Sequence, residues 1–141
     1  MTPTAIRGWR VALVLLVALH LAILYAPDTG GAPTFPGVDK LVHLATFGSV
    51  TLAGLRAGLR PRWWVPIVGV HAVVSELVQH WLLPHRSGDP VDVLADLAGV
   101  GLGVLAARWL GRASWSGDRS GPDRPLGGAD RAPAGGDAGA G

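Results

Sequence analysis

Residues 63–83 read WWVPIVGVHAVVSELVQHWLL. A helix rises 1.5 Å per residue and needs about 20 residues to cross the hydrocarbon of a bilayer, so this run predicts a membrane span. Glu76 stands in its outer half, with Gln79 and His80 following one turn later. A charge at helix-centre depth costs roughly 2.5–3.5 kcal/mol, less towards the interface, and such a residue seldom faces lipid. It calls for partners inside a helix bundle. Asp39, Lys40 and His43 precede it, and Arg86, Asp92 and Asp96 follow it.

Working outward, three further runs share the same composition. Residues 9–26 are apolar apart from Arg10 and His20; residues 38–59 open with Asp39 and Lys40; residues 91–110 open with Asp92 and Asp96. Pro27, the Gly- and Pro-rich stretch 30–37, Pro61, Pro84 and Pro90 punctuate them. Trp9, Tyr25, Trp63, Trp64, Trp81 and Trp109 fall near the expected ends, as interfacial belts do. The pattern predicts an all-α membrane protein, a bundle of four transmembrane helices within residues 1–110. The first run exceeds an h-region of about 7–15 residues, and cleavage after Ala26 would abut Pro27. It is expected to be an uncleaved span.

Composition agrees. Of 141 residues 49% are hydrophobic and 16% charged, against about 25% charged in soluble domains. Twelve Lys and Arg against ten Asp and Glu give a formal charge of only +2, and no basic stripe suggests nucleic acid as a partner. The absence of cysteine excludes disulfides and thiol chemistry. Arg7, Arg10, Arg56, Arg60, Arg62, Arg108 and Arg112 fall on one side, whereas only Lys40 and Arg86 fall near the spans on the other. The positive-inside bias therefore predicts cytoplasmic termini and an outward polar cluster. Residues 111–141 hold almost no large apolar side chain, and disorder is expected there.

Helical spacing assigns faces. Asp39, Lys40 and His43 lie three and four apart, as do Glu76, Gln79 and His80. Asp92, Asp96, Gly99 and Gly103 fall within roughly 60° of one another, so two acids sit above a Gly-x-x-x-Gly surface that a neighbouring helix can approach closely. Asp39 and Asp92 open their helices, where the dipole favours anions; Glu76 and Asp96 lie too deep for that explanation. His20 is expected to donate a hydrogen bond between helices, His71 to pack, and Ser75 to bond its own helix backbone.

Taken in order, Asp39-Lys40-x-x-His43 with Phe47-Gly48, Glu76-x-x-Gln79, Pro84-x-Arg86 and Asp92-x-x-x-Asp96-x-x-Gly99 resemble the motif blocks of the VanZ-like family. The resemblance spans residues 9–110. Asp96 departs from it, since many members carry Asn there. The resemblance implies an integral protein of the bacterial plasma membrane and cell envelope, in a family whose name-giving members are linked to reduced susceptibility to glycopeptides such as teicoplanin. It implies no settled reaction.

Several functions fit these residues. Lys40, Arg86 and a protonated His43, held and oriented by Glu76 and Asp92, suit the anionic head group of a lipid or a cell-wall precursor, with Gln79, Asp96 and Asp39 completing the polar cluster. Asp39, His43, Glu76, His80, Asp92 and Asp96 are also adequate metal ligands or acid–base groups for an enzyme acting on lipid-linked substrates. No diagnostic metal motif is present, and neither metal nor cofactor is expected from the sequence. A purely structural interhelical network and ion-coupled transport complete the readings. Besides the lipid bilayer, self-association is the remaining partner the sequence allows.

Overall fold

A computed structural model describes residues 1–25, 35, 37–83 and 89–116, with side chains to residue 112. Its four helices are α1 (Pro3–Tyr25), α2 (Val38–Arg56), α3 (Pro61–Leu82) and α4 (Pro90–Ser116). The described residues contain no strand.

Local chemistry sets the boundaries. α1 starts six residues before its apolar run because Thr2 caps it: the Ala5 amide donates to Thr2 Oγ1 at 3.3 Å, and Pro3 takes the first helical position. α2 stops at Arg56, short of the expected Leu59. Gly58 adopts φ +94°, and the Leu59 and Gly58 amides donate to the Gly54 and Leu55 carbonyls at 3.0 and 3.3 Å. This is the Schellman closure, which a glycine at that position permits. Pro61 then opens α3. At the other end α4 continues through Ser116, into the stretch expected to be disordered. Residues 117–141, the rest of that expected tail, lie outside the described residues.

Helix directions follow from the pairs that touch. Trp9 meets Arg56 and His20 meets Phe47, so α1 runs antiparallel to α2. Glu76 meets His43, and Trp64 fills the space beside Gly54, so α3 is antiparallel to α2 as well. Lys40 meets Asp92, His43 meets Asp96 and Gly48 meets Gly99, so α2 and α4 run parallel in constant register. The first turn of α1 and the last turns of α4 therefore share one end of the bundle with Arg56, Arg60 and Arg62.

The α2–α4 pairing is the most extensive in the molecule. A Cβ on Gly99 would overlap the Leu44 carbonyl oxygen, and one on Gly103 would come within 2.8 Å of Thr51 Cβ. Glycine is thus required by proximity along this seam, as the small-residue spacing predicts. Leu24, Phe47, Val50, Val68, Ala72 and Val100 make the apolar core.

The outer surface is apolar. Val14, Leu15, Val70, Leu94, Leu105 and Trp109 are exposed, while His20, His43, Thr51, Ser75, Glu76, Gln79, Asp92 and Asp96 are buried. Water would favour the reverse; lipid favours this arrangement. α1, α3 and α4 are each long and apolar enough to cross a membrane. α2 falls short of that apolar measure and lies against all three others. Its polar residues are tolerated because the neighbouring helices, rather than lipid, receive them.

The seam makes a graded prediction. Gly99→Ala and Gly103→Ala should each destabilise the protein by about 1–3 kcal/mol through overpacking. Gly101→Ala, on the same helix, meets nothing within 4 Å, and should be neutral or stabilising by up to about 1 kcal/mol. Thermal unfolding in detergent checks the contrast; equal midpoints for all three variants would contradict the packing described.

Candidate functional site

The parallel register of α2 and α4 builds the site. Lys40 and His43 stand one turn apart on α2, and Asp92 and Asp96 stand one turn apart on the facing side of α4. Lys40 Nζ donates to Asp92 Oδ1 and to Asp89 Oδ2, each at 2.9 Å, and to Asp39 Oδ2 at 3.4 Å. One turn deeper, His43 Nδ1 and Asp96 Oδ1 are hydrogen-bonded at 2.9 Å. α3 adds Glu76, whose Oε1 lies 3.6 Å from His43 Nδ1 and whose Oε2 accepts from the Asp89 amide at 3.2 Å.

These groups are well shielded: His43, Glu76, Gln79, Asp92 and Asp96 are each at most 7% exposed. Even so, the cluster is incompletely paired. Glu76 Oε1, Gln79 Nε2 and Asp96 Oδ2 are buried without a hydrogen-bond partner. A buried unpaired polar group costs about 1–3 kcal/mol. Glu76 also reaches a groove of about 190 Å³ between α3 and α4, walled by Val73, Leu77 and Val93. The cluster therefore has a lateral opening beside apolar side chains.

Of the residues expected to form the site, Gln79 is buried one turn from Glu76 on the same helix, and Lys40, His43, Glu76, Asp92 and Asp96 are brought together. Asp39 is not: its side chain is 58% exposed and its contact is with Lys40 at the rim. The two flank the His43 direction, Asp39 by about 40° on one side and Lys40 by about 60° on the other, and α4 lies on the Lys40 side. His80 is exposed against Trp81, ring centroids 5.1 Å apart, and lines the groove outside the cluster. Arg86 lies outside the described residues.

Asp89 was not singled out from the sequence, yet it is central. It caps α4 by accepting the Val91 amide at Oδ1 (2.9 Å), and it holds Lys40 through Oδ2. The legible signal was Asp89-Pro90 before an apolar helix, a cap followed by proline at the first helical position. The Val91 amide, and then the Lys40 ammonium, hold the Asp89 carboxyl below the usual carboxylate range.

Deeper in the bundle, both ring nitrogens of His20 lack a hydrogen-bond partner. The expected interhelical hydrogen bond is replaced by edge contacts of its ring with Phe47 and His71, at 4.5 and 5.2 Å between centroids. His71 packs as expected, and the Ser75 hydroxyl donates to the Ala72 carbonyl of its own helix at 3.0 Å.

Charge is strongly polarised. Among the described residues the acids Asp39, Glu76, Asp89, Asp92 and Asp96 all lie at one end, and Arg7, Arg10, Arg56, Arg60, Arg62, Arg108 and Arg112 all lie towards the other. Within the acidic end, His43, Glu76 and Asp92 each offer one donor atom, and these atoms lie within 4.8 Å of one another. The arrangement can bind a cation directly, or an anion through Lys40 and whatever cation joins it. Comparison with known proteins finds no matching family model, no matching curated protein and no matching solved structure.

Asp89 yields a pH prediction. A carboxyl whose folded pKa is depressed stabilises the fold above its unfolded pKa, and that contribution is lost as pH falls through the folded pKa. Asp89→Ala should therefore lower the melting temperature at neutral pH. Its deficit relative to wild type should shrink as pH is taken through and below the ordinary carboxylate range. A deficit independent of pH would show that the charge of Asp89 contributes nothing.

Proposed function

We propose that this chain is a VanZ-like protein of the bacterial plasma membrane, with four helices crossing the bilayer and both termini cytoplasmic. Its outward polar cluster binds the anionic head group of a lipid or lipid-linked molecule. The observation that carries the reading is a buried cluster left with three unpartnered polar atoms, of which Gln79 Nε2 is a donor for an anion, while the Glu76 and Asp96 oxygens call for a proton or cation to accompany it. A network serving only to hold helices together gains by pairing such atoms; a ligand site keeps some free.

Other observations support it. α2 is about 28 Å long at 1.5 Å per residue, close to the hydrocarbon thickness, so a fourth crossing is geometrically natural. Arginines at one end support the orientation with cytoplasmic termini. Lys40, His43, Glu76, Asp92 and Asp96, which come from separate VanZ-like blocks, meet in one place. The groove beside Glu76 lets a lipid-anchored molecule approach from the bilayer while its head group reaches polar residues.

The test is binding of a short-chain polyprenyl phosphate, compared with the neutral polyprenol, to the purified protein in detergent. The phosphate should bind at least about tenfold more tightly, a difference of about 1.4 kcal/mol. Lys40→Gln and Arg86→Ala should each erase that preference, and rising salt should weaken it. Equal binding of the two probes would reduce the cluster to a structural network. In a glycopeptide-sensitive host, wild type is expected to lower teicoplanin susceptibility, with Glu76→Gln and Arg86→Ala losing the effect at matched membrane abundance.

A further inference from the structure

Around the buried cluster, four carboxylates (Glu76, Asp89, Asp92 and Asp96) face one ammonium, Lys40, and one imidazole, His43. Among the described residues this leaves two net negative charges even with the imidazole protonated. Such an excess is poorly suited to hold an anion directly. It is well suited to a cation.

The donor geometry narrows the choice. His43 Nδ1 and Glu76 Oε1 stand 3.6 Å apart, and neither a hydrogen bond nor a covalent link joins them. Two ligands of one ion, each about 2.1 Å from it, are about 3.4 Å apart at a tetrahedral angle. Asp92 completes a set whose atoms lie within 4.8 Å. Any pair of these atoms near that bound has to draw in by up to about 1.4 Å to reach the tetrahedral separation, a movement within reach of side-chain rotation. The donors come from three different helices, and each is more than nine-tenths buried. Asp92 already has an outer polar partner, Lys40, of the kind a metal ligand requires. Asp96 bonds the same His43 nitrogen that Glu76 approaches, so an ion bound there displaces that hydrogen bond.

We infer that His43, Glu76 and Asp92 form a site for one divalent cation, which supplies the positive charge that engages the anionic ligand; the ligand half of this inference rests on the function proposed above. One nitrogen and two carboxylate oxygens suit Zn²⁺, Mn²⁺ or Fe²⁺ better than the all-oxygen shells of Ca²⁺ or Mg²⁺. An ion on Nδ1 takes the place of the proton in that hydrogen bond with Asp96. Three protein ligands leave a coordination position open, and a phosphate or carboxylate oxygen fills it.

The test begins with the metal alone. Full-length protein in detergent is stripped with a chelator and titrated with Mn²⁺, followed by the electron paramagnetic resonance signal of the free ion. One Mn²⁺ per chain should bind, be displaced by Zn²⁺, and raise the melting temperature. The bound ion should show nitrogen modulation in its pulsed spectrum, a signature of direct imidazole ligation that is read on the wild type and needs no variant. Glu76→Gln and Asp92→Asn should weaken binding at least tenfold with helical content kept. Absence of Mn²⁺ and Zn²⁺ binding, or Mn²⁺ without nitrogen coupling, overturns the site. The two readings fail separately. Selective polyprenyl phosphate binding by metal-free protein leaves the proposed function standing and overturns the role of the ion. Metal binding without any phosphate preference leaves the cation site standing and overturns the proposed function together with the ion's role toward a ligand.

Discussion

The close parallel packing of α2 on α4 is the constraint on which the rest of this molecule depends. Gly48, Gly99 and Gly103 let the two backbones approach until a Cβ would collide. Helices in lipid gain little from burying apolar surface against each other, so intimate van der Waals contact and interhelical polar bonds must hold them. The seam provides the contact below, and Lys40–Asp92 and His43–Asp96 provide the bonds above. The same register that packs the glycines also brings these polar pairs into line. Packing and site assembly are one event.

The second consequence is an inverted distribution of polarity. Leucines, valines and tryptophans cover the outside, and carboxylates and imidazoles occupy the inside. Buried ionisable groups are retained at a cost, and in membrane proteins they commonly mark ligand or ion pathways. Here they gather at the end where α2 and α4 begin, where the helix dipoles favour negative charge. That favours Asp89 and Asp92 in the first turn. It does little for Glu76 and Asp96, which depend on side-chain partners and, on the inference drawn above, on a cation.

Much of the helical layout was legible because membrane helices are written in long apolar runs bounded by proline, glycine and tryptophan. Residues 63–83 and 91–110 map onto α3 and α4 within a few residues at their starts. The ends drifted where capping chemistry overruled hydropathy, as Thr2, Gly58 and Asp89 show. The site was legible as a set of faces. Spacing put Lys40 with His43, Glu76 with Gln79, and Asp92 with Asp96, and each pair is found on a shared face. Spacing could not decide that Asp39 stays at the rim or that His80 stays outside, since Asp39 and Lys40 flank His43, and His80 and Gln79 flank Glu76, almost symmetrically, and only the placing of the neighbouring helices selects one of each pair.

Hydropathy and spacing alone specify an all-helical chain with apolar segments long enough to cross a membrane, a close-packing glycine face on α4, and helical acids segregated from the arginines. These are local properties, set by hydropathy, by the 3.6-residue period and by the conformational range of glycine and proline. Only the tertiary structure decided which acid meets which base. The pairing of His43 with Asp96 and Glu76, the bridge from Lys40 to Asp89, and the convergence of three donors from three helices depend on the register and direction of helices separated by some 30–50 residues of chain. Interhelical register is a sum over many small contacts along a seam. No single residue spells it out, and it is settled only when the whole bundle packs.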